Sequence, residues 1–422
     1  MSRRVLSLLA AFLFFSGYIF SNGLSLNSVG TRSLGMGGSF VGLANDYTAI
    51  YWNPAGIGQL KGNYLGLFST DVIPSGKLKV PDAGIDAKSL INHYISPNVM
   101  GYLGFSPLKD LTFALGVFVP AGLGSEWSGK DLKALSGGTE VEWMSKIAVI
   151  DISPAVAYKV SDNLSIGAAF NIFYGTFDLK KPAGMKAQDG KTYVFQFSES
   201  STGIGYGVTL GAHYKLNEMI SLGASFRTKT AVKMDGTAKN AGMAVLGATE
   251  SKFNRDVAWP MWISGGIAVR PTQNWVITAD AQFSQWSKSE NQFVAKYDNA
   301  NWQGALSLAG QNVFTLNWKD ATQVRFGTEY QINSSFTVRG GYYIDPAPAP
   351  TETYNILFPS MSYNAFTIGA SYKVANLTFD LGYEYLSGKD RDFMLQLGNG
   401  VALPATNVMN VNSLSFGIGY GF

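Results

Sequence analysis

Residues Ser413 to Phe422 read SLSFGIGYGF, in which Leu414, Phe416, Ile418, Tyr420 and Phe422 alternate with Ser413, Ser415, Gly417, Gly419 and Gly421. A strict period of two puts the large apolar groups on one face of an extended strand and the small or polar ones on the other. In a soluble sandwich the bulky face is core; in a transmembrane barrel it faces lipid and the interior is the polar side. Composition favours the second. Of the 422 residues, 14% are aromatic and only 14% charged, with 48 glycines. A soluble domain carries about 25% charged residues. A helical membrane protein needs uninterrupted apolar runs of about 20 residues, and none occurs beyond the first 21 positions. Strands that average one oily and one polar face account for this balance. The net charge of +3 and the scattered basic residues argue against a nucleic-acid partner. With no cysteine, disulfides and thiol chemistry are excluded.

Residues 1–21 carry Arg3 and Arg4, then an apolar run from Val5 to Phe20 and small Ser21 before Asn22, the pattern of a signal peptide. Residues 22–61 are glycine-rich, show little alternation and contain Asn53-Pro54-Ala55-Gly56. Asn as N-cap with Pro at the first helical position starts a short helix. This segment is expected to be a compact plug, with residues 62–422 forming the barrel. Short turns are expected near Pro107–Asp110, Ser161–Asn163, Leu216–Glu218, Pro271–Gln273, Asn333–Ser335 and Ala375–Asn376. Long polar connections are expected at about 75–98, 122–146, 181–191, 236–256, 289–311, 346–357 and 387–409. Six turns and seven loops imply an all-β antiparallel barrel of about fourteen strands with both chain ends on one side of the membrane. Parity assigns the faces: Leu222, Ala224 and Phe226 point out, while Ser225, Arg227 and Lys229 point in. Val324, Phe326, Thr328 and Tyr330 point out, against inward Gln323, Arg325, Gly327 and Glu329. Leu377, Phe379, Leu381, Tyr383 and Tyr385 point out, against inward Thr378, Asp380 and Glu384. Charges thus avoid hydrocarbon.

Several motifs, in order along the mature chain, resemble the FadL/TodX-type outer-membrane channels for long-chain fatty acids and other hydrophobic compounds. They are Asn22-Gly23-Leu24-Ser25-Leu26-Asn27, Asn53-Pro54-Ala55-Gly56, Pro120-Ala121-Gly122-Leu123-Gly124-Ser125-Glu126-Trp127, Phe226-Arg227-Thr228 and Phe283-Ser284-Gln285-Trp286. Arg339-Gly340-Gly341-Tyr342, Asp345-Pro346-Ala347-Pro348 and the terminal Phe422 complete the set. The resemblance implies a fourteen-stranded barrel with an N-terminal hatch, in the outer membrane of a Gram-negative cell. It implies capture of ligand in an apolar groove of the extracellular loops, passage to a site above the hatch, and lateral exit at a kinked third strand. Pro120, Gly122 and Gly124 suit such a kink, because Pro lacks a ladder donor and Gly permits bends. Leu123, Trp127, Leu132, Leu135 and Trp143, with Val141 and Met144, offer apolar surface for the groove, or alternatively pack the loop onto the rim. The partners implied are the hydrophobic ligand and outer-membrane lipid and lipopolysaccharide, and a barrel of this size can stand alone as a monomer.

Burying about fourteen methylenes at roughly 0.8 kcal/mol each gives up to about 11 kcal/mol, against about 1.5–3 kcal/mol for a charge-assisted headgroup contact. The groove therefore sets affinity and a cation orients a carboxylate. Arg227, Arg325 and Arg339 are the candidate anchors; the competing reading pairs them with Glu329, Asp380, Glu384 or the plug. Asn53 and Pro54 either cap a helix that holds the hatch together or form a hinge that moves with ligand. His93 and His213 are the only imidazoles and stand beside no nucleophile pattern, Asp390 and Asp392 read as solvated loop, and no metal-ligand spacing or cofactor motif occurs, so catalysis is not expected. The alternative role is a FadL-related barrel that binds partners in protein secretion, because Arg32-Ser33-Leu34-Gly35-Met36-Gly37 followed by Trp52-Asn53-Pro54-Ala55 also resembles those subunits. An open porin fits less well with a hatch of this size.

Overall fold

The computed structural model describes residues 23–104, 110–186, 190–289, 291–398 and 401–422; residues 1–21, read as a signal peptide, lie outside them, as does most of the turn expected at Pro107–Asp110. The wall is one closed antiparallel sheet of fourteen strands. In chain order they are β1 (Asn63–Val80), β2 (Tyr94–Gly104), β3 (Leu111–Trp127), β4 (Trp143–Lys159), β5 (Leu164–Lys186) and β6 (Thr192–Lys215). Strand β7 is Ile220–Arg227 continued by Thr230–Asn240, and β8 is Glu250–Trp259 continued by Trp262–Thr272. Then follow β9 (Trp275–Ser284), β10 (Ala321–Gln331), β11 (Phe336–Asp345), β12 (Tyr363–Val374), β13 (Leu377–Gly388) and β14 (Val401–Gly421). The alternating C-terminal stretch closes the barrel: β14 pairs with β13 on one side and β1 on the other, with Tyr64 opposite Gly421 and Leu67 opposite Ile418. Closure removes the sheet edges that would otherwise seek a partner.

The short turns are built from local side-chain bonds. Asn217 Oδ1 accepts the amides of Met219 and Ile220, and Asn333 Oδ1 those of Ser335 and Phe336, each at 2.8–2.9 Å. At the other end the strands run further than the sequence suggested. Residues 181–186 pair with 192–197 as a continuous hairpin, so the expected loop at 181–191 shrinks to its tip. Strands β5 and β6 have 23 and 24 residues, where about 9–11 cross a bilayer; the excess stands beyond the membrane. The reason is alternation with polar residues on the outer face, which solvent tolerates and a turn-residue reading misses.

Side-chain parity follows expectation with one exception. Leu222, Phe226, Phe326, Leu381 and Tyr383 are exposed on the outer face, whereas Arg227, Arg325, Arg339, Asp380 and Glu384 are buried inside. Lys229 is exposed rather than inward. The break in β7 at Thr228, where Thr228 and Val208 exchange two hydrogen bonds of 2.9 Å, slips the alternation by one residue, and Lys229 Nζ donates to the Lys288 carbonyl at 2.6 Å.

The chain between Gly23 and Leu60 packs against the inner face of the wall. It holds a short helix at Thr31–Gly35, another at Ala49–Trp52 and a 3-10 turn at Pro54–Gln59. Phe40, Leu43, Ile50, Tyr51 and Trp52 bury against Phe68, Met100, Phe118 and a patch of small wall residues, Ala155, Ala157, Ala169 and Ala268. Contact is close enough that Gly42 lies on the Gly266 backbone, where a Cβ on either would clash. Polar bonds fix the orientation. Arg32 forks onto Glu329 with two contacts of 2.7 Å and reaches Asp46 at 3.0 Å, and the amide of Val41 donates to Asp280 Oδ2 at 2.6 Å. Burial opposes the charge on Arg32, but Glu329 and Asp46 outweigh it and hold the guanidinium protonated above its ordinary range.

Candidate functional site, a window in the barrel wall

Pairing between β2 and β3 runs from Gly104 opposite Thr112 up to Val99 opposite Val117 and stops there. Above that point β3 turns inward. Its ladder with β4 shifts register between Phe118 and Ala121, the position of Pro120, whose missing N–H leaves no donor for the ladder. The freed backbone groups find other partners. The Val119 amide donates to Asn98 Oδ1 at 2.7 Å, the Leu26 amide to the Pro120 carbonyl at 3.0 Å, and the Gly122 amide to the Leu24 carbonyl at 3.0 Å. The N-terminal segment thus completes the displaced strand. Higher still, Leu90 donates to the Glu126 carbonyl at 2.8 Å and Ser89 bridges to Trp127, which closes the wall again. Between these two seams lies a window, with Tyr94–Asn98 on one side and Val119–Gly124 on the other.

A cavity of about 560 Å³ passes through it. Its inner end is lined by Asn27, Ser28, Leu34 and Glu384, and its outer end by Ile95 and Ile150, which are exposed on the lipid-facing side. Glu384 accepts from Ser28 Oγ at 2.9 Å, Tyr343 at 2.7 Å and Ser413 at 3.1 Å, so the carboxylate at the inner end is satisfied by three hydroxyls. The Tyr94 ring lies across the window against Gly124, which has no side chain to obstruct it, and Lys146 Nζ sits 5.9 Å from the ring centre.

The residues expected at the site divide. Pro120, Gly122, Gly124 and Leu123 come together at the window. Trp127 and Leu132 are fully buried with Leu78, Val80 and Ile356, and Leu135 and Trp143 pack beside them, so this part of the 122–146 connection forms core under the rim. Asn53 caps the 3-10 turn, its Oδ1 accepting from Ala55 at 3.2 Å, while its Nδ2 donates to the carbonyls of Val41 at 3.1 Å and Ala212 at 3.0 Å. Pro54 packs with it against Gly167 and Gly211. The three arginines do not line the cavity. Arg339 pairs with Glu329 at 2.6 Å and Asp380 at 3.3 Å. Arg325 donates to the Asn27, Gly37 and Gln323 oxygens at 2.6–3.0 Å and stacks on Tyr343 and Trp52. Arg227 donates to Thr209 Oγ1 at 3.0 Å and the Tyr51 carbonyl at 3.3 Å, between the Tyr51 and Trp262 rings. It borders a void of only about 20 Å³ behind Pro120.

Sequence reasoning missed Tyr94 and Asn98, and placed Glu384 inside the barrel without assigning it to the cavity. Asn98 follows Pro97 on β2, and its bond to Val119 depends on where β2 loses its pairing with β3. His93 bonds Asp71 at 2.6 Å and His213 bonds the Gly42 carbonyl at 3.2 Å. Among the described residues no group of three or more acidic or histidine side chains is placed to hold a metal.

Comparison with known proteins agrees with this architecture. The chain is 23% identical over 386 residues to outer membrane protein P1 of Haemophilus influenzae, covering 84% of this chain and 80% of the relative. The crystal structure of a Pseudomonas aeruginosa FadL homologue superimposes with a TM-score of 0.81 at 17% identity, covering 95% of this chain and 100% of the other. That of the Pseudomonas putida toluene transporter TodX gives 0.71 at 19% identity, covering 94% and 99%. The sequence pattern of the family described as "Outer membrane protein transport protein (OMPP1/FadL/TodX)" matches residues 12–422. The chain therefore belongs to this family of outer-membrane transport channels for hydrophobic compounds, which are not enzymes.

Proposed function

We propose that this protein takes up long-chain fatty acids or other hydrophobic compounds by capture among its long loops, descent to the inner end of the cavity and lateral exit through the β2–β3 window. Residues 22–61 serve as the hatch that denies the straight path to the periplasm. The observation that carries the reading is the cavity, which joins the lumen to the lipid-facing surface where β2 and β3 part. A hydrophobic molecule gains by leaving sideways, since the bilayer offers it apolar surroundings and the periplasm does not. The partners are then the ligand and the outer-membrane lipid and lipopolysaccharide around the window. Closure of β14 on β1 leaves no edge that needs a second copy, which suits a monomer. Toluene, the cargo of the structurally similar transporter TodX, is a ligand of this class.

The test narrows the window. Val119→Trp and Pro97→Trp place bulk on its two sides, and uptake of radiolabelled oleate and toluene is followed in Gram-negative cells that lack their own channels of this family. Both variants should be slow while the folded barrel keeps its heat-dependent gel mobility. Parent-like uptake in both would remove the lateral route. No uptake and no saturable binding by the parent would favour a partner-binding role in secretion.

A further inference from the structure

A second cavity, of about 400 Å³, lies at the long-loop end of the barrel. Its rim carries exposed Lys319, Thr351, Glu352, Lys389 and Asp390, so it opens to solvent. Among the residues lining the two cavities one is shared: Met361 borders both the solvent-facing cavity and the window cavity. Its side chain is 1% exposed.

The frame around Met361 is held by several hydrogen bonds, whereas its own side chain has one. Arg391 donates to the Ser360 carbonyl at 2.7 Å and the Ala349 carbonyl at 2.5 Å, and lies 4.7 Å over the Tyr354 ring. Ser362 Oγ accepts the Ala347 amide at 3.0 Å. Met361 itself has one polar contact, from the Tyr354 hydroxyl to its sulfur at 3.2 Å, and otherwise packs among apolar neighbours. An unbranched thioether with three rotatable bonds repacks readily, and side-chain rotation within a rigid loop is a small gating motion.

We infer that Met361 is the movable partition between an outer vestibule and the window cavity, so that ligand enters past its side chain. The inference rests on the transport reading above.

The chain has no cysteine, so a single Met361→Cys variant reports on this position alone. Uptake of radiolabelled toluene and oleate is measured in the same deleted host. Met361→Trp should lower the initial rate by about five-fold or more, equivalent to about 1 kcal/mol on the barrier. Met361→Cys should run near the parent rate until a charged, membrane-impermeant methanethiosulfonate reagent is added outside, and then fall by a similar factor. Because the reagent acts on the folded barrel, the second arm stands even if Met361→Trp fails to assemble. A thiol that does not react from outside, or whose modification leaves uptake unchanged, overturns the inference. A parent that takes up neither probe overturns the transport reading and the inference with it.

Discussion

Gly124 on β3 is bare where the Tyr94 ring from β2 crosses the window, and a Cβ there would overlap the phenol. Two residues earlier, Gly122 has only the Ile147 carbonyl near its missing Cβ, at 3.5 Å, an ordinary contact. The glycines are therefore not equivalent. Gly124→Ala should push the ring aside at an overpacking cost of about 1–3 kcal/mol, whereas Gly122→Ala should be close to neutral. If the ring bars the window, Gly124→Ala and Tyr94→Ala should both speed hydrocarbon uptake and Gly122→Ala should not. Gly124→Ala and Tyr94→Ala running no faster than Gly122→Ala would show that Tyr94 does not obstruct the route.

The partly buried ion-pair network under the N-terminal segment is uneven. Glu329 serves both Arg32 and Arg339, while Arg32 also has Asp46 and Arg339 also has Asp380. Removing a partner from a buried pair costs about 3–5 kcal/mol because a charge is left uncompensated. Glu329→Ala takes one carboxylate from each of two guanidiniums, leaving Arg32 with Asp46 and Arg339 with Asp380, and should loosen the segment more than Arg32→Ala, which leaves Glu329 paired with Arg339. Single-channel recording in planar bilayers measures this as the frequency of open events. More opening in Arg32→Ala than in Glu329→Ala would refute the ranking.

Much of this was legible from period alone. Strand count, barrel closure through the C-terminal alternation and the inward placement of Arg325, Arg339, Asp380 and Glu384 need only parity and the cost of charge in hydrocarbon. The kink was legible at Pro120, since a missing donor is a property of the residue. The window was not, because it depends on β2 losing its partner above Val99 and on Leu24 and Leu26 arriving to replace it, a contact across almost a hundred positions. The loop apolar residues misled in a physical way: Trp127 and Leu132 look like a ligand groove in sequence, yet they bury under β1 and the 346–362 connection. Composition cannot tell a surface that receives a ligand from one that receives the protein's own loops.

Asn53 combines a cap with two tethers, and its substitutions can separate them. Asn53→Asp keeps the oxygen that caps the 3-10 turn but removes the donor to Val41 and Ala212. Asn53→Ala removes both, and loss of the cap alone costs about 1 kcal/mol. Two buried carbonyls lose a partner in either variant, at about 1–3 kcal/mol each. Asn53→Asp should therefore show most of the destabilisation of Asn53→Ala in thermal unfolding of the purified protein. If Asn53→Asp is as stable as the parent, the tethers to β6 and to Val41 do not hold the segment.

The arginines allow a sharper discrimination. A headgroup anchor acts on carboxylates and leaves hydrocarbons alone, whereas a structural arginine acts on both through the fold. Arg325 and Arg339 spend their donors on Asn27, Gly37, Gln323, Glu329 and Asp380, and neither borders the window cavity. Arg325→Ala and Arg339→Ala should each lower thermal stability and reduce oleate and toluene binding in the same proportion. Arg227 is the discriminating case: it has two hydrogen bonds, no carboxylate within ion-pair distance among the described residues, and a position directly behind Pro120. Its cation lies against Tyr51 and Trp262, whose rings offer attraction without cancelling the charge. Fluorescent fatty acid displacement by oleate and by toluene, run on all three variants, reads the ratio directly. A selective loss of oleate in Arg227→Ala would make it the anchor. Equal losses in all three would mean that the apolar cavity alone sets affinity and that a carboxylate passes without a cation to hold it.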